Sequence, residues 1–257
     1  MNLFLFAIVA HLAGDFLFQA PKTVMAKQNG KLWAFIRHAL LVAFLTFLAT
    51  HFFGLSPSLI YTGLIGFSHF LIDFGKESLA KGRSGGTKLF LFLTDQTLHL
   101  LLLFFLSFFF PSAAPDPEVM AFYQRLLPSR AIPVFAGLPR LPQVNWEAVL
   151  WVFIFYLATI FGGAVFTARL LEWLTGRPPE EHTQRLGRAI GMIERLILIT
   201  LVVVDAVSAM GFVLAAKSLA RYQELNNREF AEYYLVGTLT SYGLALFAGL
   251  GLKRMIS

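Results

Sequence analysis

The chain has 257 residues, of which 57% are apolar or aromatic and only 14% are charged, whereas a soluble domain has roughly 25% charged residues. Its 28 Phe residues and its mean hydropathy of +0.67 favour lipid-facing helices over a compact aqueous core. The absence of Cys excludes disulfides and cysteine-ligated cofactors. The net charge of +6 does not indicate nucleic-acid binding, because the basic residues are scattered over short loops, where they set topology and contact membrane lipid.

Apolar segments of nearly 20 residues recur along the chain, and each is long enough to cross the hydrocarbon layer as a helix. They predict an all-α, polytopic bundle of about seven spans, within a range of six to eight. The predicted spans are 2–20, 33–53, 57–77, 88–110, 147–174, 188–213 and 231–252. The first is expected to be retained, since Asp15 and Gln19 lie where a signal peptide would have its cleavage site. We therefore expect an integral protein of the cell (inner) membrane.

A proline-rich segment divides the predicted spans into two groups. Residues 111–146 hold seven of the eleven prolines and predict an extramembrane loop, extended or with short interfacial helices. The predicted domains are a four-span front half over 1–110, this loop, and a three-span rear half over 147–257.

Lys and Arg are concentrated in the loops after the first, third and fifth spans and in the carboxyl-terminal tail. Their distribution predicts an external amino terminus and a cytoplasmic carboxyl terminus. The sixth loop disagrees, because it should be external and yet carries Lys217, Arg221 and Arg228. Residues 211–225 could form an amphipathic helix that lies in the interface.

The front half places ionisable residues inside hydrocarbon, where each needs a partner or a function. It has three His/Asp pairs with a spacing of four residues and one further His: His11 with Asp15, His69 with Asp73, Asp95 with His99, and His38. A spacing of four puts each pair on one helical face. Measured from the predicted cytoplasmic ends, all seven residues lie about 4 to 16 Å deep. This common depth predicts one site built from four helices.

Imidazole and carboxylate groups are ligands for Zn, Mn or Fe, and facing helices of a bundle bring such groups together. The predicted metal ligands are His11, Asp15, His38, His69, Asp73, Asp95 and His99. Two other interpretations use the same residues. Each Asp could accept a hydrogen bond from the His on its own helix and only support packing, or the set could relay protons or a cation.

The function that we expect is metal-dependent hydrolysis of a lipid-linked substrate near the cytoplasmic leaflet. Asp15, Asp73 and Asp95 are the candidate catalytic residues, and Gln19, Lys22, Lys76 and Gln96 the candidate substrate-binding residues. The alternatives are a cation- or proton-coupled transporter and a non-catalytic membrane partner protein. The sequence shows no inverted repeat, a feature of many transporters, and this counts against the transporter.

The rear half has a secondary polar cluster, for which helix-end ion pairing is the favoured interpretation. Its members are Glu194, Arg195, Lys217, Arg221 and Glu232. Glu232 is expected to pair with Lys217 or Arg221, and no partner is predicted for Asp205.

The motifs of the front half resemble a known family. The run His11–Gln19 (HLAGDFLFQ), His38, the run His69–Asp73 (HFLID) with Lys76, and the run Asp95–His99 (DQTLH) occur in the same order in the bacterial membrane family catalogued as domain of unknown function 3307. The rear motifs GMIERL, AAKSL and EYYLVGT resemble the carboxyl-terminal extension of its longer members. The resemblance implies an integral membrane protein and no particular activity.

Overall fold

A computed structural model describes residues 2–110, 115–126, 145–176 and 181–257. All regular structure in these ranges is helical. The α-helices are α1 (Leu3–Leu12), α2 (Pro21–Gln28), α3 (Leu32–Thr50), α4 (Leu55–Ala80), α5 (Gly85–Ser107), α6 (Pro117–Leu126), α7 (Trp146–Leu157), α8 (Gly163–Thr175), α9 (Glu181–Val203), α10 (Ala209–Ala220) and α11 (Arg228–Ile256). Two π-helical turns, Ala13–Leu17 and Ala158–Gly162, continue α1 and join α7 to α8.

Within the described residues, five helices are long and apolar enough to cross a membrane, or six if a bent pair counts as one span. The five are Leu32–Phe53, Leu55–Ala80, Gly85–Ser107, Trp146–Thr175 and Arg228–Ile256, and the bent pair is Leu3–Leu17 with Pro21–Gln28. The prediction of a helical protein with several apolar helices of membrane-spanning length is thereby confirmed.

The first predicted span is not a single straight helix. After the π-helical turn the chain bends by 82° into α2. Pro21 is the reason for the new helix start, because proline restricts the residue before it to extended backbone, and Ala20 has φ −68° and ψ 143°. The bend directs α2 along α3 instead of continuing the line of α1.

The sixth predicted span, 188–213, is two helices rather than one, because α9 ends at Val203. Asp205 follows in the left-handed conformation with φ 62°. The amide of Ala206 donates to the carbonyl of Leu201, and that of Asp205 to the carbonyl of Val202, which is the Schellman pattern that ends a helix. Lys253 forms an ion pair with the Asp205 side chain and so supplies the partner that the sequence did not reveal.

The chain divides into two compact units, Met1–Gly75 with Gln96–Leu150, and Lys76–Asp95 with Trp151–Ser257. In the first unit, small residues allow helices to approach closely. A Cβ on Gly14 would lie 2.8 Å from Val42, and one on Gly66 would lie 2.9 Å from Ala43. Such contacts pack α1 and α4 against α3, as small residues do between membrane helices.

The second unit has its own apolar core between α9, α10 and α11. Its buried members are Leu198, Ile199, Val202, Met210 and Ala245. A Cβ on Gly249 would lie only 2.6 Å from Val202, so α9 and α11 pack closely.

Large apolar side chains cover the outer faces of the helices. On α3, Ile36, Leu40, Phe44 and Leu48 are exposed and recur every four residues, while His38, Val42 and Thr46 face inward. This arrangement, with polar groups inside and apolar groups outside, suits a lipid environment.

The proline-rich segment is described in part. Helix α6 lies within it, and Asp116 donates its amide to the carbonyl of Phe52 at 2.7 Å. His51 Nε2 lies 2.7 Å from the Tyr123 hydroxyl, which ties α6 to the end of α3. The rest of the predicted loop, 111–114 and 127–144, lies outside the described residues.

Candidate functional site in the first unit

Asp15 lies at the centre of a buried group of polar side chains. It belongs to the π-helical turn Ala13–Leu17, and such single turns within helices are frequent at functional sites. Its Oδ1 lies 3.0 Å from His38 Nε2 and 3.2 Å from His69 Nε2. Its Oδ2 accepts a hydrogen bond from Gln96 Nε2 at 3.1 Å and lies 3.7 Å from His11 Nε2. One carboxylate therefore contacts side chains of α1, α3, α4 and α5.

The imidazole rings of four helices pack against one another around this carboxylate. The ring of His69 is central, with centroids 4.1 Å from His99, 4.9 Å from His38 and 5.6 Å from His11. The rings of His11 and His99 are 4.9 Å apart. Each of these four side chains is at most 2% exposed.

Asp73 supplies the second carboxylate, one helical turn after His69 on α4. Its Oδ2 lies 3.7 Å from both His38 Nε2 and His69 Nε2. The same oxygen forms an ion pair with Lys27 Nζ. We call His11, Asp15, Lys27, His38, His69, Asp73, Gln96 and His99 the His/Asp cluster.

Lys27 is the member that the sequence did not predict. It is 3% exposed, on α2, and its Nζ also lies 5.9 Å from the centre of the Phe35 ring. A lysine between two predicted spans is normally a solvated loop residue, and only the bend before α2 brings it into the bundle. The sequence signal that could have indicated this is Pro21, which is typical of the first residue of a helix.

The charges of the cluster do not cancel when the imidazoles are neutral. Asp15 and Asp73 contribute two negative charges, and Lys27 compensates one of them. In addition, the Nδ1 atoms of His38 and His69 make no hydrogen bond with the described residues. A buried polar atom without a hydrogen bond costs roughly 1–3 kcal/mol. The site therefore has net negative charge and lone pairs available for a cation.

Within the first unit, two groups of three described side chains present metal-ligand atoms within 4.8 Å of one another. They are His11, His69 and His99, and Asp15, His38 and His69. Bonds of about 2.0–2.2 Å hold two ligand atoms at most about 4.4 Å apart. Small side-chain rotations would therefore let either group surround an ion, and His69 belongs to both.

The remaining predicted site residues are Gln19, Lys22, Lys76 and Asp95. Asp95 is buried in the second unit, where Lys76 Nζ lies 3.3 Å from its Oδ2. Gln19 is half-buried at the bend before α2, and Lys22 is exposed on α2. His51 is bound to Tyr123 and the carbonyl of Leu48.

The predicted polar cluster of the rear half forms three separate groups. Lys217 pairs with Glu194 at 2.6 Å, and Arg221 with Glu224 at 2.8 Å. The prediction that Glu232 pairs with Lys217 or Arg221 is wrong, because Arg228, one turn earlier on α11, takes that carboxylate at 2.9 Å. Arg228 pairs with Glu232 in preference to a residue of another helix, because residues four apart on one helix are already neighbours. Arg195 lies outside these three groups, and within the described part of the chain its hydrogen bonds go to the carbonyl of Ile160 and the hydroxyl of Ser241, which are both neutral.

Comparison with known proteins finds a family match for the first part of the chain. No curated protein and no solved structure was found to match the chain. A family described as a protein of unknown function, DUF3307, matches residues 3–122, which include every member of the His/Asp cluster. This part of the chain is therefore similar to the DUF3307 family.

Proposed function

We propose that the protein is an integral inner-membrane hydrolase whose His/Asp cluster holds one or two divalent metal ions. The observation that supports this most is the convergence of four buried imidazoles and Asp15, with the Nδ1 atoms of His38 and His69 making no hydrogen bond to described residues. Zn, Mn and Fe accept this ligand set. Metal content of the purified protein, measured by elemental analysis, tests the proposal.

Within this proposal the carboxylates have different tasks. Asp15 is a ligand, because its Oδ1 lies within 3.2 Å of both His38 and His69. Asp73 Oδ2 lies 3.7 Å from the same Nε2 atoms of His38 and His69, so it would add negative charge beside a bound cation. Lys27 holds Asp73 in place. A bound metal would supply an activated water at neutral pH.

The substrate class follows from the surroundings of the cluster. Its members are buried within helices whose outer faces are apolar, so a substrate must approach from within or beside the lipid layer. A lipid-linked phosphoester or amide meets this requirement. Gln19 and Lys22 at the bend, and Gln96, are the polar groups that would bind it. Lys76 and Asp95 belong to the second unit, where they pair with each other.

A second candidate function is a proton or cation relay. The observation in its favour is a continuous series of polar contacts. Asp15 contacts both Gln96 and His38. Asp73 in turn contacts both His38 and Lys27. Titratable groups linked in this way serve proton pathways in membrane proteins. A metal-free protein that retains its function would favour the relay over the hydrolase.

Acidification should weaken metal binding to the cluster. An imidazole must be neutral to bind a metal, and a free imidazole takes up a proton near pH ~6.5. Metal affinity should therefore fall at least about tenfold between about pH 7.5 and about pH 5.5. Titration of the metal-free protein with Zn²⁺ at both pH values measures this. An affinity that stays constant would mean that no His is a ligand.

We also propose seven spans, with the amino terminus outside and the carboxyl terminus in the cytoplasm. Seven spans result if the bent pair and α9 each cross the membrane in addition to the five candidate spans. The Lys and Arg residues of alternate loops support the orientation.

A reporter fused after Ser257 tests the orientation. A reporter that works only in the cytoplasm should be active there, and one that works only in the periplasm should be inactive, with the same pair fused at the amino terminus as the control. Activity of the periplasmic reporter after Ser257, with an inactive cytoplasmic one, would overturn the orientation. It would also remove the common depth of the predicted His and Asp ligands, which was measured from that orientation.

A further inference from the structure

Arg195 is a buried cation of the second unit. It is 2% exposed, on α9. Its Nε donates to the carbonyl of Ile160 at 3.3 Å, within the π-helical turn Ala158–Gly162, and its Nη1 donates to Ser241 Oγ at 2.9 Å. Both acceptors are uncharged. A guanidinium has five N–H donors, so these two bonds use only part of its capacity.

No carboxylate of the described side chains lies within 4.0 Å of Arg195. Glu194, its neighbour in the chain, is engaged by Lys217 at 2.6 Å. Arg195, Glu194 and Lys217 together carry a net charge of +1. A charge buried in a membrane bundle without a counter-ion is costly, so the second unit needs an anion here.

Two glycines lie next to the Arg195 side chain. A Cβ on Gly191, one turn earlier on α9, would lie 3.4 Å from Nη1 and 3.6 Å from Nη2. A Cβ on Gly163 would lie 3.2 Å from Arg195 Cδ. Thr238 lies one turn before Ser241 on α11, is 2% exposed, and its Oγ1 makes no hydrogen bond with the described residues. A cation, two glycines and a spare hydroxyl thus occur together.

We propose that Arg195 binds a phosphate group, with Ser241 and Thr238 as hydroxyl partners. A guanidinium matches the oxygens of phosphate with two parallel N–H bonds. Phosphate is also the anion that a bilayer supplies in quantity, and Ile190, Ile193 and Ile197 of α9 are exposed apolar side chains suited to contact lipid. The phosphate comes either from a lipid headgroup or from free phosphate. The proposal concerns the second unit and does not depend on the metal site.

Titration calorimetry of the full-length protein, purified in phosphate-free non-ionic detergent, tests this. The probes are inorganic phosphate and phosphatidylglycerol in mixed micelles, with diacylglycerol micelles as the phosphate-free control. We expect saturable binding of at least one phosphate probe and none of diacylglycerol. Binding of phosphatidylglycerol alone identifies the headgroup as the source, and binding of inorganic phosphate identifies free phosphate.

Arg195→Gln should weaken binding of the same probe roughly thirtyfold or more, because the charged partner is lost. Arg228→Gln is the matched control, since Arg228 is exposed and paired with Glu232, and should leave affinity unchanged. If Arg195→Gln does not fold, Gly191→Ala decides, because its methyl group occupies the space beside both terminal nitrogens and should weaken binding at least about tenfold. The proposal would be overturned if the wild type bound neither phosphate probe. It would also be overturned if Arg195→Gln, or Gly191→Ala in its place, bound the probe with the affinity of the wild type.

Discussion

Replacing His69 and Asp73 together with alanine should leave the purified protein without bound metal. His69 belongs to both groups of ligand atoms in the first unit, so its loss removes a ligand from either arrangement. Asp73 lies 3.7 Å from the Nε2 atoms of His38 and His69, and its loss removes one of the two carboxylates of the cluster. Loss of a carboxylate next to the ligands typically lowers metal affinity by about 10–100-fold. The double variant should therefore fall below detection.

Elemental analysis of Zn, Mn and Fe per protein chain measures this effect, with His51→Ala as the matched control. His51 is also a histidine of the first unit, but it is bound to Tyr123 and Leu48 rather than to the cluster. This control should keep the metal content of the wild type. A wild-type protein without stoichiometric metal, or equal loss of metal from both variants, would contradict the metal site and leave the relay as the better interpretation.

The sequence predicted the parts of the site that depend on helical spacing. His11 and Asp15, and His69 and Asp73, are four residues apart, and in each pair the structure places both side chains in one cluster. His38 had no carboxylate on its own helix and was grouped by depth alone. Its partner is Asp15 of another helix, at 3.0 Å, which no periodicity within α3 could show.

The sequence could not reveal the parts of the site that depend on backbone irregularity. The π-helical turn around Asp15 and the 82° bend after Leu17 change where side chains point, and apolar periodicity assumes a regular helix. Lys27 reaches Asp73 only because of that bend. In the rear half, Asp205 ends α9 in a left-handed conformation, which interrupts a run that reads as one continuous apolar span.

Replacing Lys27 with methionine should destabilise the metal-free protein by about 3–5 kcal/mol. Lys27 and Asp73 are each 3% exposed, and removal of the lysine leaves a buried carboxylate without its ion-pair partner. Asp73→Asn in the same chain should recover most of this loss, because a neutral amide does not need the lysine. Unfolding of the detergent-solubilised protein in the presence of a chelator, followed for both single variants and the double variant, gives the coupling energy.

Lys22→Met is the matched control for Lys27→Met. Both lysines lie on α2, but Lys22 is exposed, so its replacement should change stability by less than about 0.5 kcal/mol. This comparison separates the ion pair from the general effect of removing a positive charge from the bent segment. Similar stabilities of the two lysine variants would show that Lys27 does not compensate Asp73. Additive effects of Lys27→Met and Asp73→Asn would lead to the same conclusion, because coupled residues of one buried pair deviate from additivity by roughly 0.5–3 kcal/mol.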